Sequence, residues 1–399
     1  VTAWSIEYLG ASIANLYESL VNDVSLLDRL AENPSYLESQ WDGFANESWL
    51  TVSIYIAVVI VGVMVISRGV RKGLEAANRI LIPSLFVLLV IVAIAALSMD
   101  NGIKGLDYMF AVRWSDFQNP TIWIEALSQS AWSTGAGWGL MITISSYSRS
   151  KEDVTLNTFI GAFGNNTASI LAGVAILPAV FALAASEQEA ISHLQSGSQA
   201  LTFTIIPKLF ATIPGGAFMT VLFFLALTLA AFSSFLPMLE LFKTNIINLE
   251  LSKGVVLGLM VVVFVVFGYP SAYSLDFFTN QDWVWGLGLI VSGLFIAIAT
   301  AIYGPIKFKA ELIDQDSDFK LSDKYFQFAL YINIAMAIFL IYWWMSQGYS
   351  SDPWITAEGA WNWKDVYSNA TIVTQWGAVI LLGLLLNKWL YNKFCANTD

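Results

Sequence analysis

An all-α polytopic membrane protein is the fold class this sequence predicts, and three observations predict it. Hydrophobic residues fill 57% of the 399 positions against 12% charged, and the mean hydropathy is +0.64, which exceeds what a soluble core of that size needs. Nine apolar stretches, 51–67, 80–97, 122–147, 157–184, 216–242, 254–267, 283–303, 326–345 and 371–391, each come near the roughly 20 residues that cross a bilayer. A tenth, 1–20, reads as the outer half of one more span. Between them, basic and acidic loops alternate.

The alternation orients the chain. Arg68, Arg71, Lys72 and Arg79 share one short loop, Arg149 and Lys151 another, Lys243 and Lys253 a third, Lys307, Lys309, Lys320 and Lys324 a fourth, and Lys388 and Lys393 the tail. The intervening segments 21–49, 100–121, 185–214, 269–282 and 347–370 carry few basic residues, so the positive-inside rule puts the basic set and the C-terminus in the cytoplasm. A multi-pass protein of the plasma or bacterial inner membrane is expected. The net charge of −11 holds no basic run interleaved with aromatics, which excludes nucleic acid as a partner.

The first residue is Val1 rather than Met, inside an apolar segment with no basic flank, so the chain reads as an N-terminal truncation from which no signal peptide can be inferred. Cys395, alone of its kind, excludes a disulfide framework and a cysteine metal cluster, and the single His193 reads as an exposed loop residue. No phosphate-cradling loop, no nucleophile elbow and no H-E-x-x-H occurs. An enzyme and a resident cofactor are therefore not expected, and an ion gradient is the natural energy source.

Three polar clusters interrupt the apolar spans. The stretch from Ser128 to Tyr147 is broken at its centre by Ser133-Thr134-Gly135-Ala136-Gly137-Trp138-Gly139. Lipid offers no hydrogen bonds, so a helix unwinds at membrane depth only where protein, water or a ligand satisfies the backbone, and broken helices mark transporter sites. A glycine-softened helix with close neighbours is the alternative. Asn165 and Ser169 lie one turn apart on the next span and share a face, either bonding a neighbouring helix or facing a cavity. Ser233 and Ser234, followed by Pro237 and Glu240, either bond back to their own helix or present oxygens to a hard cation such as sodium.

The run Arg68-Gly69-Val70-Arg71-Lys72-Gly73-Leu74-Glu75, then Ile82-Pro83-Ser84-Leu85-Phe86, then Gln129 through Tyr147 and Ala230 through Ser234, resembles the neurotransmitter:sodium symporter family, which includes the bacterial leucine transporter and the monoamine, GABA and glycine transporters. The resemblance covers nearly the whole chain, from the family's third helix to its twelfth. It implies the leucine-transporter-type inverted-repeat fold, lacking the first two helices and part of the third, as a single partial transporter domain over 1–399. The function it implies is sodium-coupled, chloride-assisted symport of an amino acid or related small zwitterion by alternating access. A non-transporting scaffold or receptor, or an ion channel, that keeps the fold is the alternative.

Carried over residue by residue, the resemblance makes Ser133 and Asn165 ligands of a first sodium ion, and the Ala230 carbonyl with Ser233 and Ser234 ligands of a second. Gln129, Ser133, Asn165 and Ser169 match the chloride site of chloride-dependent members; Ser169 carries no acidic group that would replace the anion. Ser133, Gly135, Gly137, Trp138, Ser234 and Met238 would line the substrate cavity, with freed amides around Gly135–Gly137 facing a carboxylate. Where the bacterial leucine transporter has Ser and Phe, this chain has Gly135 and Trp138, so one wall is emptied and the other enlarged. Ser146 and Tyr147 match inner-gate positions, and Glu240 lies beside them or serves a local hydrogen bond.

Overall fold

The computed structural model describes residues 1–135, 137–148, 152–247, 251–346 and 350–394, so Ala136, Arg149, Lys151 and Cys395 lie outside the described residues. Its regular structure there is helical, in the order α1 Thr2–Val21, α2 Leu26–Glu32, α3 Tyr36–Ala45, α4 Trp49–Ser67, α5 Ala76–Leu97, α6 Gly102–Phe110, α7 Pro120–Ser133, α8 Leu140–Ser145 and α9 Val154–Leu183. There follow α10 Glu187–Gln195, α11 Ser198–Ala200, α12 Ile206–Ala211, α13 Gly216–Ile247, α14 Lys253–Tyr273, α15 Leu275–Tyr303, α16 Pro305–Phe308, α17 Asp323–Ser346 and α18 Asn369–Phe394. Among the described residues, 8 helices are long and apolar enough to span a membrane.

Several boundaries differ from the expected ones for definable reasons. The stretch 122–147 is two helices, α7 and α8, parted by the glycine run. The first segment is a full 20-residue helix. The 80–97 span is preceded by a π-turn, Val70–Glu75, so the basic "loop" of Arg71 and Lys72 is itself helical. α14 runs through Pro270 to Tyr273, and α15 begins at Leu275, because polar residues near a span's end lower hydropathy without ending the helix. The acidic segment 21–49 holds α2 and α3, with Ser25 and Asp28 forming a reciprocal cap at the start of α2. His193 sits in the last turn of α10, 20% exposed, 3.5 Å from Glu189, and is not an exposed loop residue.

The chain divides into two compact units. One comprises Val1–Arg113, Asn166–Glu240 and Leu257–Leu275. Its core is aromatic: Trp41 stacks on Phe203 at 4.8 Å, Trp4 meets Trp41 edge-on at 5.1 Å, and Tyr8 packs on Phe224 at 5.0 Å. Beneath it the buried Glu7 carboxylate accepts from the Thr51 hydroxyl at 2.8 Å. α4 approaches two neighbours closely. Gly62 leaves no room for a Cβ against Leu239 and Phe235 of α13, and the Tyr55 hydroxyl donates to the Phe264 carbonyl of α14 at 2.5 Å.

The other unit comprises Trp114–Asn165, Leu241–Val256 and Asp276–Asp399. Ile124, Trp283, Val284, Leu287, Ile290, Leu340 and Ile372 form its buried core, joining α7, α15, α17 and α18. At the N-terminus of α9, Asp153 accepts from the amides of Leu156 and Asp318, both at 2.8 Å, and these bonds hold its carboxyl below the usual range. In the segment after α15, Lys309 is 4% exposed and donates to Asp314 at 2.6 Å and Asp323 at 2.9 Å, which raises its pKa.

The break itself is built by backbone conformation. Gly135, Gly137 and Gly139 have φ of +67°, +78° and +77°, the left-handed region that costs an L-residue roughly 1–2 kcal/mol, and no α-helix passes through it. Gly137 has a second requirement: a Cβ there would run into the Leu289 carbonyl oxygen and lie 2.7 Å from the Gly293 nitrogen, both on α15. Gly137→Ala therefore meets backbone, which cannot rotate away. We expect it to destabilise the protein by at least roughly 3 kcal/mol. Gly161→Ala, on α9 with nothing within 4 Å of the new Cβ, should be neutral or stabilising by about 0.5–1 kcal/mol. Thermal unfolding in detergent micelles separates the two; equal midpoints would mean that the break does not depend on α15.

Candidate functional site

α7 ends as its amides are returned to the last turn. Thr134 N–H donates to the Ser130 carbonyl at 3.2 Å and Gly135 N–H to the Trp132 carbonyl at 3.1 Å. Trp138 N–H then donates to the Gly135 carbonyl at 3.2 Å, and α8 restarts from Gly139. The expectation that the amides around Gly135–Gly137 are free for a carboxylate is thus corrected at Gly135, whose amide is occupied by the cap. Side-chain space at Gly135 is open: the nearest atom to a Cβ added there would be Trp138 Cδ1 at 3.9 Å.

Trp138 meets Trp132 edge-on, with centroids 5.7 Å apart and planes at 65°. Trp132 in turn lies over Gly286 of α15, where a Cβ would come within 2.8 Å of its ring. Sequence reasoning missed Trp132, Gly286 and Gly293. The available signal was the glycines of α15, which let another backbone come close.

Asn165 and Ser133 are brought together: the Asn165 amide donates to Ser133 Oγ at 3.1 Å, tying α9 to the last residue of α7. Gln129 precedes Ser133 by one turn on α7, and Ser169 follows Asn165 by one turn on α9, so each helix offers a polar pair at i, i+4. Gln129 and Ser169 are exposed; Ser133 and Asn165 are half-buried.

The second set belongs to the other unit and lies within one turn of α13. Ser233 Oγ and Ser234 Oγ donate to the same acceptor, the Ala230 carbonyl, at 2.8 and 3.1 Å. That is back-bonding to the helix's own carbonyl. It also places two hydroxyl oxygens within hydrogen-bonding distance of one carbonyl oxygen. Hydroxyls and carbonyls are the neutral hard donors that suit a monovalent cation. Met238 lies one turn beyond Ser234 on the same helix.

On the cytoplasm-facing side of the break in the expected orientation, the Tyr147 hydroxyl is 3.1 Å from Thr244 Oγ1, and Ser146 Oγ donates to the Thr143 carbonyl at 2.7 Å. Thr244 is a partner that sequence reasoning did not single out. Glu240 lies one turn before it on α13 and is fully buried.

Known proteins share this architecture. The crystal structure of MhsT in complex with L-phenylalanine superposes with a TM-score of 0.68 at 24% identity, covering 86% of this chain and 76% of that one. The fold is that of the leucine-transporter type. An uncharacterized sodium-dependent transporter of Methanocaldococcus jannaschii is 26% identical over 329 residues, 80% of this chain and 65% of the relative. A sodium- and chloride-dependent GABA transporter of Drosophila melanogaster is 27% identical over 161 residues, 40% of this chain and 17% of the relative. The chain therefore spans less than two thirds of the length of these relatives. The model of the Sodium:neurotransmitter symporter family matches residues 35–357, most of the chain, and the protein, an integral multi-pass membrane protein, belongs to that family.

Proposed function

We propose that this chain, with residues 1–399 acting as one transporter domain of a plasma or bacterial inner membrane and its C-terminus in the cytoplasm, carries out sodium-coupled symport of an amino acid or related small zwitterion. One observation carries the reading: an apolar segment opened between α7 and α8 by three left-handed glycines, with Asn165 bonded to Ser133 at its edge. Ser133 and Asn165 would share one sodium ion; the Ala230 carbonyl, Ser233 and Ser234 would hold another. The carboxylate of the substrate would meet the Gly137 amide and its side chain would lie against Trp138, and the family resemblance adds Ser234 and Met238 to the lining. Ions order the opened backbone, substrate completes the site, and differential binding shifts the population between outward- and inward-open states. Nothing covalent happens to the substrate. Ser146, Tyr147 and Glu240 would form the inner gate, with the Tyr147–Thr244 contact holding α8 to α13 while it is shut.

Uptake of labelled amino acids into proteoliposomes under an inward sodium gradient tests this. Accumulation should collapse when a sodium ionophore dissipates the gradient; accumulation unaffected by the ionophore would refute sodium coupling.

Ser234→Ala removes one of three proposed oxygens. The sodium concentration for half-maximal uptake should rise about 5- to 30-fold, the equivalent of roughly 1–2 kcal/mol for one lost ligand, with the protein still monodisperse. Unchanged sodium dependence would strike Ser234 from the site.

Chloride is proposed to assist through Gln129, Ser133, Asn165 and Ser169. Ser169→Glu supplies a fixed negative charge one turn from Asn165, so uptake should become indifferent to replacing chloride with gluconate while remaining sodium-dependent. Wild-type uptake that is already indifferent would overturn the chloride site.

For the substrate wall, Trp138→Phe removes one ring of the indole beside the vacant position at Gly135. Preference across a panel of competing amino acids should shift toward bulkier side chains by about 1–3 kcal/mol. An unaltered ranking would make Trp138 a packing residue.

A further inference from the structure

A cavity lies beside the break, inside the unit that contains α7, α15 and α17. It measures about 180 Å³ and is bounded by the last turns of α7, the middle of α15 and the middle of α17. Small side chains make the space: Ala131, Gly293 and Ala337 line it where neighbouring turns carry the large core residues Ile124, Ile290 and Leu340.

Its lining is mixed. Asn333 stands near the centre of α17, a span of mean hydropathy 1.8, and is exposed. Its Nδ2 donates to the Ala329 carbonyl at 2.7 Å, which uses one amide hydrogen and leaves the second, with Oδ1, to be satisfied. An amide left unsatisfied in hydrocarbon is costly, and polar side chains at membrane depth mark functional positions. From α7, Thr134 Oγ1 gives its hydrogen to the Ser130 carbonyl at 2.7 Å and keeps its lone pairs, and Ser130 lines the space beside it. Donor and acceptor capacity therefore faces the space from both sides. Among the described residues, none that lines it is charged.

We propose that the cavity formed by Ser130, Thr134, Gly293, Asn333 and Ala337 is a binding site for a small neutral amphiphile, a single ring or equivalent apolar body bearing a hydroxyl or amide, which enters from the bilayer. The size fits, since an apolar cavity of about 150 Å³ accommodates benzene. The charge fits, since a membrane-permeant neutral molecule needs no counter-ion here. The location gives the site leverage on the break. Gly293 both lines the cavity and supplies the backbone nitrogen that blocks a Cβ at Gly137, and Thr134 caps α7. An occupant braces the opened segment through Gly293 and Thr134. This assignment stands independently of the transport reading.

The test is a ¹⁹F NMR titration of 4-fluorobenzyl alcohol with the full chain in nanodiscs, with 4-fluorotoluene as the apolar control. Saturable line broadening is expected for the alcohol in the wild type. Ala337→Leu fills the cavity from α17 and should weaken binding at least roughly tenfold; Asn333→Leu removes the amide and should erase the preference of the alcohol over the toluene, about 5- to 10-fold. Gly161→Ala, remote from the site, should leave both values unchanged. Broadening that never saturates, or is equal in wild type and Ala337→Leu, means bilayer partition only and overturns the site. Should Ala337→Leu not fold, Asn333→Leu decides alone: an unchanged preference overturns the amphiphile assignment. The readout is binding, so a failure of uptake leaves it intact.

Discussion

The whole site depends on one constraint: a backbone at membrane depth must find hydrogen-bond partners within the protein. The break between α7 and α8 meets it with short local closures, Gly135 to Trp132 and Trp138 to Gly135, and with the Thr134 hydroxyl on the Ser130 carbonyl. Those closures need positive φ at alternate residues, which the glycines supply. They also need a neighbour that comes close, and α15 provides it with a carbonyl and a nitrogen where side chains would otherwise stand. Three glycines without that neighbour would yield a weak helix; with it they give a defined opening.

The two groups of oxygens differ in what they require of the fold. Ala230, Ser233 and Ser234 converge through helix periodicity alone, so any tertiary arrangement that keeps α13 helical preserves their spacing. Ser133 and Asn165 converge only because α9 lies against the end of α7. Movement of α9 relative to α7 would part the second pair and leave the first untouched. One set is therefore rigid within its helix, and the other is conditional on how two helices pack.

The architecture was largely legible in the sequence because hydropathy is a one-dimensional signal in a membrane protein. Charge reversals separate the spans, and the glycine run announces the break. The legible part ends where tertiary register begins. That Trp132 lies over Gly286, or that Gly137 faces Leu289, follows from how α15 is rotated, and its hydrophobic residues surround it too evenly to disclose a face. The π-turns at Val70–Glu75, Leu201–Ile205 and Lys309–Ile313 were equally hidden, since no residue type demands an i→i+5 bond. His193 went astray for another reason. Its surroundings are polar enough to read as a loop, yet Ser186 caps a short helix by accepting from Glu189 N–H and carries the histidine into its last turn.

The alternation of glycines at 135, 137 and 139 also sets how this wall can diverge. Between Gly135 and Gly139 only positions 136 and 138 carry a Cβ at all, because any side chain at the other three strains the path, and at Gly137 it strikes α15. Innovation along the opened segment is confined to two sites, while neighbouring helices must supply the remaining variety. Substitutions that keep this backbone path are therefore expected to fall on the residue now occupied by Trp138 before any of the three glycines.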